Sequence, residues 1–423
     1  MKKIKQLLSK FKKVIPALVE GRFLRKTGIF LKSLVVGLDR QFGIVAKYLL
    51  SVSTPVQKNK IIFITFQGDY TCNPKYITEE ILAQGKNQDW DIVWTTRKGN
   101  LYKSGAFPEG VRLVEQYTYD FYKELASAKI WVANSVEFLK NPLYKKKGQV
   151  LIETWHGSLG IKKFDRDSNS GRRWVEAAEL NGKIASYCIS NSTFETDVYR
   201  GSFWPKTEIL EYGHPRNDIL DPGDAERREK VKQKIFARYG LSSDVKVALY
   251  APTFRDSHTF SCYDIVYNSL IDALKDRFGG EWVVFVRFHP TVRKYSKGKL
   301  AGNDRVIDVT NYPDIQEIMA ASDAAITDYS SWIYDFIFLR KPGFIFATDI
   351  ERYNHERGFY YKLETTPFPI AVSNEELFQN IRNFDQEKYQ RDVEEFLRGK
   401  GSVEDGHAAE RVVAKIAEIL ENA

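Results

Sequence analysis

The sequence predicts an α/β protein in which two doubly wound parallel sheets face each other across a cleft, behind a basic amphipathic helical arm. Two observations carry the fold class. Short apolar runs alternate with helical stretches through most of the 423 residues, in two successive series separated by the charged stretch Asp221 to Asp244. Such βα alternation builds parallel sheets covered by helices on both faces. A third observation sets the arm apart. Residues 1–50 hold 12 Lys and Arg against 2 Asp and Glu, whereas the rest holds 51 against 53, so the net charge of +8 originates in the arm.

In the arm, residues 1–58, Ile4, Leu7, Leu8, Phe11 and Val14 recur at helical spacing, with six lysines between Lys2 and Lys13. A second such stretch runs from Phe23 through Leu34 and Val35. The pattern fits a helical pair packed on the core or helices lying on an anionic lipid surface. The Lys-rich polar face favours the membrane surface, where each basic residue contributes about 1 kcal/mol. Residues 51–60, with Pro55, read as a linker.

The first α/β domain spans 59–222. Its strands are expected at 61–66, 91–95, 111–114, 129–133, 150–154, 185–189 and 209–211, with a helix over 76–82. The second domain spans 223–423. It opens on a helix at 225–239 and continues with strands at 245–250, 282–286, 306–308, 324–327 and 344–346. Helices are expected at 315–321 and 331–339. The last helix, about 408–420, is placed to return and brace the first domain.

Several function classes are excluded or disfavoured. Neither half carries Gly-x-Gly-x-x-Gly after its first strand, and there is no Walker A sequence, which argues against a nicotinamide dehydrogenase or an ordinary nucleotide hydrolase. The body is slightly acidic, so no nucleic-acid partner is expected. Cys72, Cys188 and Cys262 are too scattered for a disulfide framework or a zinc site, and a reducing cytoplasm suits them. No run of 18 or more apolar residues predicts a membrane span, and the start lacks a signal-peptide core. The chemistry is therefore expected on the cytoplasmic side, at the membrane periphery.

The chemistry-bearing residues cluster at predicted strand ends, which face the ligand crevice in such sheets. After strand 324–327, Thr327, Asp328 and Tyr329 turn the chain, and Ser330 and Ser331 open an apolar helix. Free N–H groups and two hydroxyls there make an anion site, or else Ser330 is only a helix cap. Arg287 and His289 follow strand 282–286, suited to phosphate. Thr253 and Arg255 follow strand 245–250 and suit the same ligand. In the first half, Thr154-Trp155-His156-Gly157 ends a strand, and His156 is a general base or a structural histidine. Arg216 and Asp218, near the domain junction, either pair with each other or meet a ligand. Asp165-Arg166-Asp167 formally matches the Asp-x-Asp of metal-dependent glycosyltransferases, but three residues in a charged loop are weak evidence, and no metal is expected.

Taken in order, these segments resemble the CDP-glycerol glycerophosphotransferases, which build teichoic acids and related polyol-phosphate polymers. The similarity runs over about residues 61–420. It includes Gly68 through Asn73-Pro74, Thr154 to Gly157, Gly213 with Pro215 to Asp218, Tyr250 to Asp256, His289-Pro290, Thr327 to Ser331, Asp335 and Lys341-Pro342. The resemblance implies a glycosyltransferase-B-like fold, a CDP-polyol donor and an undecaprenyl-linked acceptor. It implies His156 as catalytic base, and His289 joins it as a catalytic residue that stabilises the charge of the leaving CMP. His289, Thr253, Arg255, Arg287, Thr327, Asp328, Ser330 and Ser331 would lie on the donor side, and Asn73, Gly157, Arg216 and Asp218 along the cleft. No cofactor beyond the CDP-polyol substrate is implied. One departure stands out. Where the family runs Thr-Pro-Leu-Lys after His-Gly, this chain runs Ser158-Leu159-Gly160-Ile161. A nucleotide-sugar transferase and a non-catalytic membrane scaffold are the alternatives, and a homo-oligomer is left open, as is glycerol versus ribitol.

Overall fold

The structure, a computed structural model, describes residues 40–97, 107–140, 143–160, 163, 171–253, 264–288, 303–350 and 358–422. Both amphipathic stretches of the arm, Asp165-Arg166-Asp167, Arg255 and His289 lie outside the described residues.

The first half contains α1 (Arg40–Ser53), β1 (Gln57–Ile64), α2 (Cys72–Ala83), β2 (Asp91–Thr96), β3 (Arg112–Glu115) and α3 (Tyr119–Ser127). It continues through β4 (Ala128–Ala133), β5 (Val150–Glu153), α4 (Arg172–Ile184), β6 (Tyr187–Ser190), α5 (Thr193–Ser202) and β7 (Glu208–Glu211). The strands form one parallel sheet in the order β3-β2-β1-β4-β5-β6-β7. The second half contains α6 (Ala225–Tyr239), β8 (Lys246–Tyr250), α7 (Tyr267–Phe278), β9 (Trp282–Val286), β10 (Val306–Asp308), α8 (Ile315–Ala320) and β11 (Ala324–Thr327). After these come α9 (Ile333–Phe336), β12 (Gly343–Phe346), β13 (Ile370–Ala371), α10 (Asn374–Arg382), α11 (Gln386–Lys400) and α12 (Ala408–Glu421). Its sheet is also parallel, in the order β10-β9-β8-β11-β12-β13. Both sheets therefore reverse direction at equivalent places, between β1 and β4 and between β8 and β11. The crevice outside such a switch point is where open α/β sheets take ligands.

The strand sequences explain the layering. Neighbouring side chains on a strand point to opposite faces, and a parallel sheet covered on both faces needs apolar residues on each. In β1, Ile62 and Ile64 pack with Trp131, Ala133 and Leu151 on one face. Ile61 and Phe63 pack with Ile130, Val132 and Ile152 on the other. That second face is closed by α12, whose Val412, Val413 and Ile416 are buried against it. The last helix thus does return to the first sheet, and Asp218 holds its start by accepting from Ala408 N (3.0 Å) and Ala409 N (2.7 Å). Burial pushes the Asp218 carboxyl up to about 6, against the pull of those two N–H groups.

Three sequence expectations are corrected here. The segment 51–60 is not a linker, because α1 runs to Ser53 and β1 begins at Gln57. Its polar start is the exposed edge of a strand whose buried part begins at Lys60. The helix expected at 331–339 is a four-residue α-helix followed by a 3-10 turn over Ile337–Leu339, and its N-cap is Trp332, with no side-chain cap. Ser330 is therefore not the cap, and so short a helix aligns few peptide dipoles. Finally, Arg216 and Asp218 do not pair with each other, since Asp218 is spent on α12 and Arg216 on Asp335.

The two halves are bolted together by buried charge. Lys75 on α2 reaches Asp314 and Glu317 across the cleft, each at 2.6 Å, and Tyr76 Oη donates to Asp314 at 2.9 Å. Burial pushes Glu317 up, but Lys75 and Lys234 outweigh it and hold the carboxyl at about 2. A depressed carboxylate stabilises the fold fully above its unfolded value, near 4.5, and that share is lost as pH falls towards 2. Urea unfolding between pH 7 and 2.5 should show stability dropping over this window, and Glu317→Gln should flatten the drop. An unchanged acid limb in the variant would contradict the assignment. On the first-sheet side of α2, Ile416→Ala should cost about 2–5 kcal/mol in the same assay, the usual range for a fully buried isoleucine. A loss below about 1 kcal/mol would mean that α12 contributes little to the first core.

Candidate active site

His156 lies just past β5, at the C-terminal edge of the first sheet, with its side chain exposed. Its Nδ1 lies 2.6 Å from the carbonyl oxygen of Asn134, which follows β4. A carbonyl can only accept, so Nδ1 carries the proton. In the neutral imidazole Nε2 is then left with its lone pair, the form a general base requires. The ring is flanked by Trp155, 4.4 Å between centroids, and by Phe66, 6.1 Å away and nearly parallel.

The turn that presents His156 is strained and supported from beneath. Trp155 has φ 50°, a left-handed conformation rarely adopted by a bulky residue. Glu153 at the end of β5 accepts from Trp155 N at 3.0 Å and from Asn181 Nδ2 at 2.7 Å. Burial pushes the Glu153 carboxyl up to about 8, although these donors pull the other way. Asn73 at the start of α2 donates to Thr154 O (2.9 Å) and Trp155 O (3.2 Å), and accepts from Arg216 N (3.1 Å).

Arg216 links this loop to the second half. It is 2% exposed, and its Nε donates to Asp335 Oδ2 at 2.9 Å while Nη2 donates to Gly157 O, the residue after His156. Burial works against its charge, but Asp335 outweighs burial and raises the guanidinium above its usual value. Asn217 Nδ2 and Gln316 Nε2 also donate to Asp335, at 3.1 and 3.3 Å. His214, two residues before, is fully buried and paired with Glu195 at 2.7 Å, well apart from solvent.

At the C-terminal edge of the second sheet, Thr327 Oγ1 donates to Ala251 O at 2.7 Å, and Asp328 Oδ1 accepts from Thr253 N (2.8 Å) and Tyr329 N (2.6 Å). These contacts knit the ends of β8 and β11 together. Arg287 lies at the end of β9, and its Nη1 donates to Val309 O at 3.3 Å and to Tyr312 O. Ser330 and Ser331 are half-buried, and Ser331 meets the His156 loop directly. A Cβ on Gly160 would stand 2.8 Å from Ser331 Cβ, so only glycine permits this approach. The divergent Ser158-Leu159-Gly160 segment is therefore part of the contact between the halves. Ser158 Oγ accepts from Asn191 Nδ2 at 3.0 Å, and Leu159 O accepts from Tyr361 Oη.

The structure thus brings His156, Gly157, Asn73 and Arg216 into one cluster and sets Ser331 against it. Thr253, Thr327 and Asp328 form a second group at the β8/β11 switch point. Asp218 belongs to the start of α12, about which sequence reasoning gave no hint. Asn134, Glu153 and Phe66 were also missed. Each is an ordinary residue type whose role depends on a partner remote in sequence, and Asn134 alone had a local signal, its place directly after a buried strand.

Comparison with known proteins is consistent with this arrangement. Residues 46–418 match the CDP-Glycerol:Poly(glycerophosphate) glycerophosphotransferase family. The chain is 31% identical to a teichoic acid poly(glycerol phosphate) polymerase of Staphylococcus epidermidis, over 84% of this chain and 50% of that protein. It is 30% identical to a teichoic acid glycerol-phosphate transferase of Staphylococcus aureus, over 85% of this chain and 93% of the relative. It thus spans half the length of the first and nearly all of the second. Among solved structures, a variant of the wall teichoic acid polymerase TagF soaked with CDPG superposes with a TM-score of 0.78 at 28% identity, covering 95% of this chain and 98% of that one. The chain belongs to the CDP-glycerol glycerophosphotransferase family.

Proposed function

We propose that this protein transfers a polyol phosphate from a CDP-polyol to a hydroxyl of a membrane-linked saccharide or polymer, with release of CMP. The observation that carries the mechanism is the hydrogen bond from His156 Nδ1 to Asn134 O, which leaves Nε2 as proton acceptor at the cleft. The acceptor oxygen attacks the polyol-bearing phosphorus in line, and His156 takes its proton. The bond from that phosphorus to the bridging oxygen breaks, and CMP departs. Backbone N–H groups and hydroxyls around Ser330 and Ser331 receive the donor diphosphate, together with Thr253, Arg255, Arg287 and His289. Charge stabilisation and positioning supply most of the rate in such phosphoryl transfers. Thr327 and Asp328 act here by shaping the crevice, with Thr327 Oγ1 donating to Ala251 O and Asp328 Oδ1 accepting from Thr253 N.

Peripheral attachment to the cytoplasmic face of the membrane is part of this proposal. Among the described residues no helix is long and apolar enough to cross a membrane. One side of α1 packs on the first domain, where Ala46 is buried. The other side exposes Ile44, Tyr48 and Val52 at four-residue spacing, with Tyr144 packed beside Tyr48 at 5.5 Å. In the sequence this helix follows directly on the basic segment 1–39, and its apolar stripe with that segment's lysines suits an anionic lipid surface.

Purified protein should release CMP from CDP-glycerol or CDP-ribitol in the presence of a saccharide acceptor, and no nucleotide from nucleotide sugars. Nucleoside diphosphate released from a sugar donor would make it a sugar transferase instead. His156→Ala should lower turnover by about 10²–10⁴-fold and leave CDP-glycerol binding by calorimetry nearly intact. Turnover at the wild-type rate would remove His156 from the mechanism. In co-sedimentation, the protein should bind vesicles containing anionic phospholipid and dissociate at high salt. Tyr48→Glu with Val52→Glu should lower binding several-fold, and equal binding by the double variant would exclude α1 from the membrane contact.

A further inference from the structure

Beyond His156 itself, the edge of the first sheet carries an unassigned aromatic shelf. Five adjacent strands, in the spatial order β3-β2-β1-β4-β5, are followed within three residues by Tyr117, Arg97, Phe66, Asn134 and His156 respectively. Parallel strands lie about 4.8 Å apart, so this row extends roughly 19 Å from the base. Two members are large aromatic residues turned to solvent, Phe66 at 38% and Tyr117 at 36% exposure. Neither is loosely held. Phe66 N donates to Asn134 Oδ1 at 2.8 Å, so the residue that fixes the His156 tautomer also fixes the shelf. Gln116, beside Tyr117, donates through Nε2 to Thr95 Oγ1 at 3.0 Å and Thr65 O at 3.3 Å, tying β3 to its neighbours.

Two further features mark the row. Tyr117 has φ 64° and Trp155 φ 50°, so non-glycine residues with left-handed backbone stand at both ends. Strain of this kind persists where surrounding structure holds it, and it clusters at ligand sites. Between them Arg97 and Glu137 form a half-exposed ion pair at 3.5 Å. Gly68, at φ 71°, keeps the turn after β1 flat, since a Cβ there would lie 2.6 Å from Arg97 N.

We propose that this shelf is the acceptor subsite, and that it takes a polyhydroxylated chain, saccharide or polyol phosphate, rather than lipid or nucleotide. Exposed aromatic faces suit the C–H face of such a chain, and the Arg97–Glu137 pair suits its hydroxyl and phosphate groups. A lipid tail would require continuous apolar surface, which the ion pair interrupts. The chain lies along the strand ends, with its reactive hydroxyl at His156 and its body running over Phe66 towards Tyr117. This inference rests on the proposed base role of His156.

The test uses the full-length protein with soluble alkyl disaccharide glycosides, with and without a terminal glycerol phosphate, as probes. Saturation-transfer NMR reads binding without turnover, and CMP release from CDP-glycerol reads transfer. Phe66→Ala and Tyr117→Ala should each raise the acceptor KM at least tenfold and weaken the NMR contact to the glycoside C–H protons. CDP-glycerol affinity should not change. Phe66→Tyr and Tyr117→Phe should restore acceptor binding, whereas Phe66→Leu and Tyr117→Leu, which keep bulk and fold without an aromatic face, should not. Unchanged acceptor KM in the leucine variants would overturn the shelf, as would loss of donor affinity, which would make it a nucleotide platform. A wild-type protein that binds glycosides through these residues yet releases no CMP from any CDP-polyol would support the shelf and overturn the transfer reaction.

Discussion

The buried ion pair between Arg216 and Asp335 is the interaction on which the cleft depends. Domains joined as these two are would by default move relative to one another. Here a guanidinium from the junction and a carboxylate from the second half meet with almost no exposure, and Asn217 and Gln316 satisfy more of the carboxylate. Burying two charges is costly, and breaking such a pair leaves an uncompensated charge at about 3–5 kcal/mol. The pair is therefore weak as a source of net stability and strong as a specification of geometry. That geometry reaches the chemistry in one step, because the same guanidinium holds Gly157 O next to His156.

The C-terminal segment makes this arrangement harder to open. After the second sheet is complete the chain crosses back, and Glu404 accepts from Asn217 Nδ2 (2.8 Å), Asn191 Nδ2 (3.1 Å) and His214 N (3.1 Å) on the way. Burial pushes the Glu404 carboxyl up to about 8, with Asn217 and His214 opposing. Then α12 enters the first core with Asp218 at its N-terminus. The first domain thus takes one of its covering layers from the far end of the chain. Lys75, reaching Asp314 and Glu317, adds a second charged bolt beside it, since Gln316 between those two carboxylates donates to Asp335.

What the sequence revealed follows from how local each signal is. Buried parallel strands read as continuous apolar runs, so β2, β4, β8, β9 and β11 were legible nearly to the residue. β1 was read four residues late because Gln57, Lys58 and Asn59 are exposed and polar. β13 has two residues and no pattern to read, and α9 was overextended because an apolar run does not distinguish an α-helix from a 3-10 turn. At the site, Thr154 to Gly157 and Thr327 to Ser331 stood out because several suitable residues adjoin a strand end. Residue type alone misled at Asp218, whose carboxylate is consumed by two backbone N–H groups 190 and 191 positions away. Glu153 and Phe66 left no trace, because what gives them importance is three-dimensional.

The two switch points solve the same problem in the same way, and the difference between them bears on chemistry. In the first sheet, Asn134 after β4 accepts from Phe66 N after β1. In the second, Asp328 after β11 accepts from Thr253 N after β8. In each case one side chain from the fourth strand of the sheet closes the split between the two strands that diverge there. In the first sheet the residue is neutral, and its main-chain carbonyl sets the His156 tautomer without adding charge beside the proposed base. In the second sheet it is a carboxylate, which in the proposed transfer would repel a diphosphate if its lone pairs faced the crevice. Asp328 instead turns Oδ1 to two backbone N–H groups, Thr253 and Tyr329. Asp328 Oδ1 thereby orders the loop after β8 against the end of β11, the loop assigned to the diphosphate in the proposed transfer.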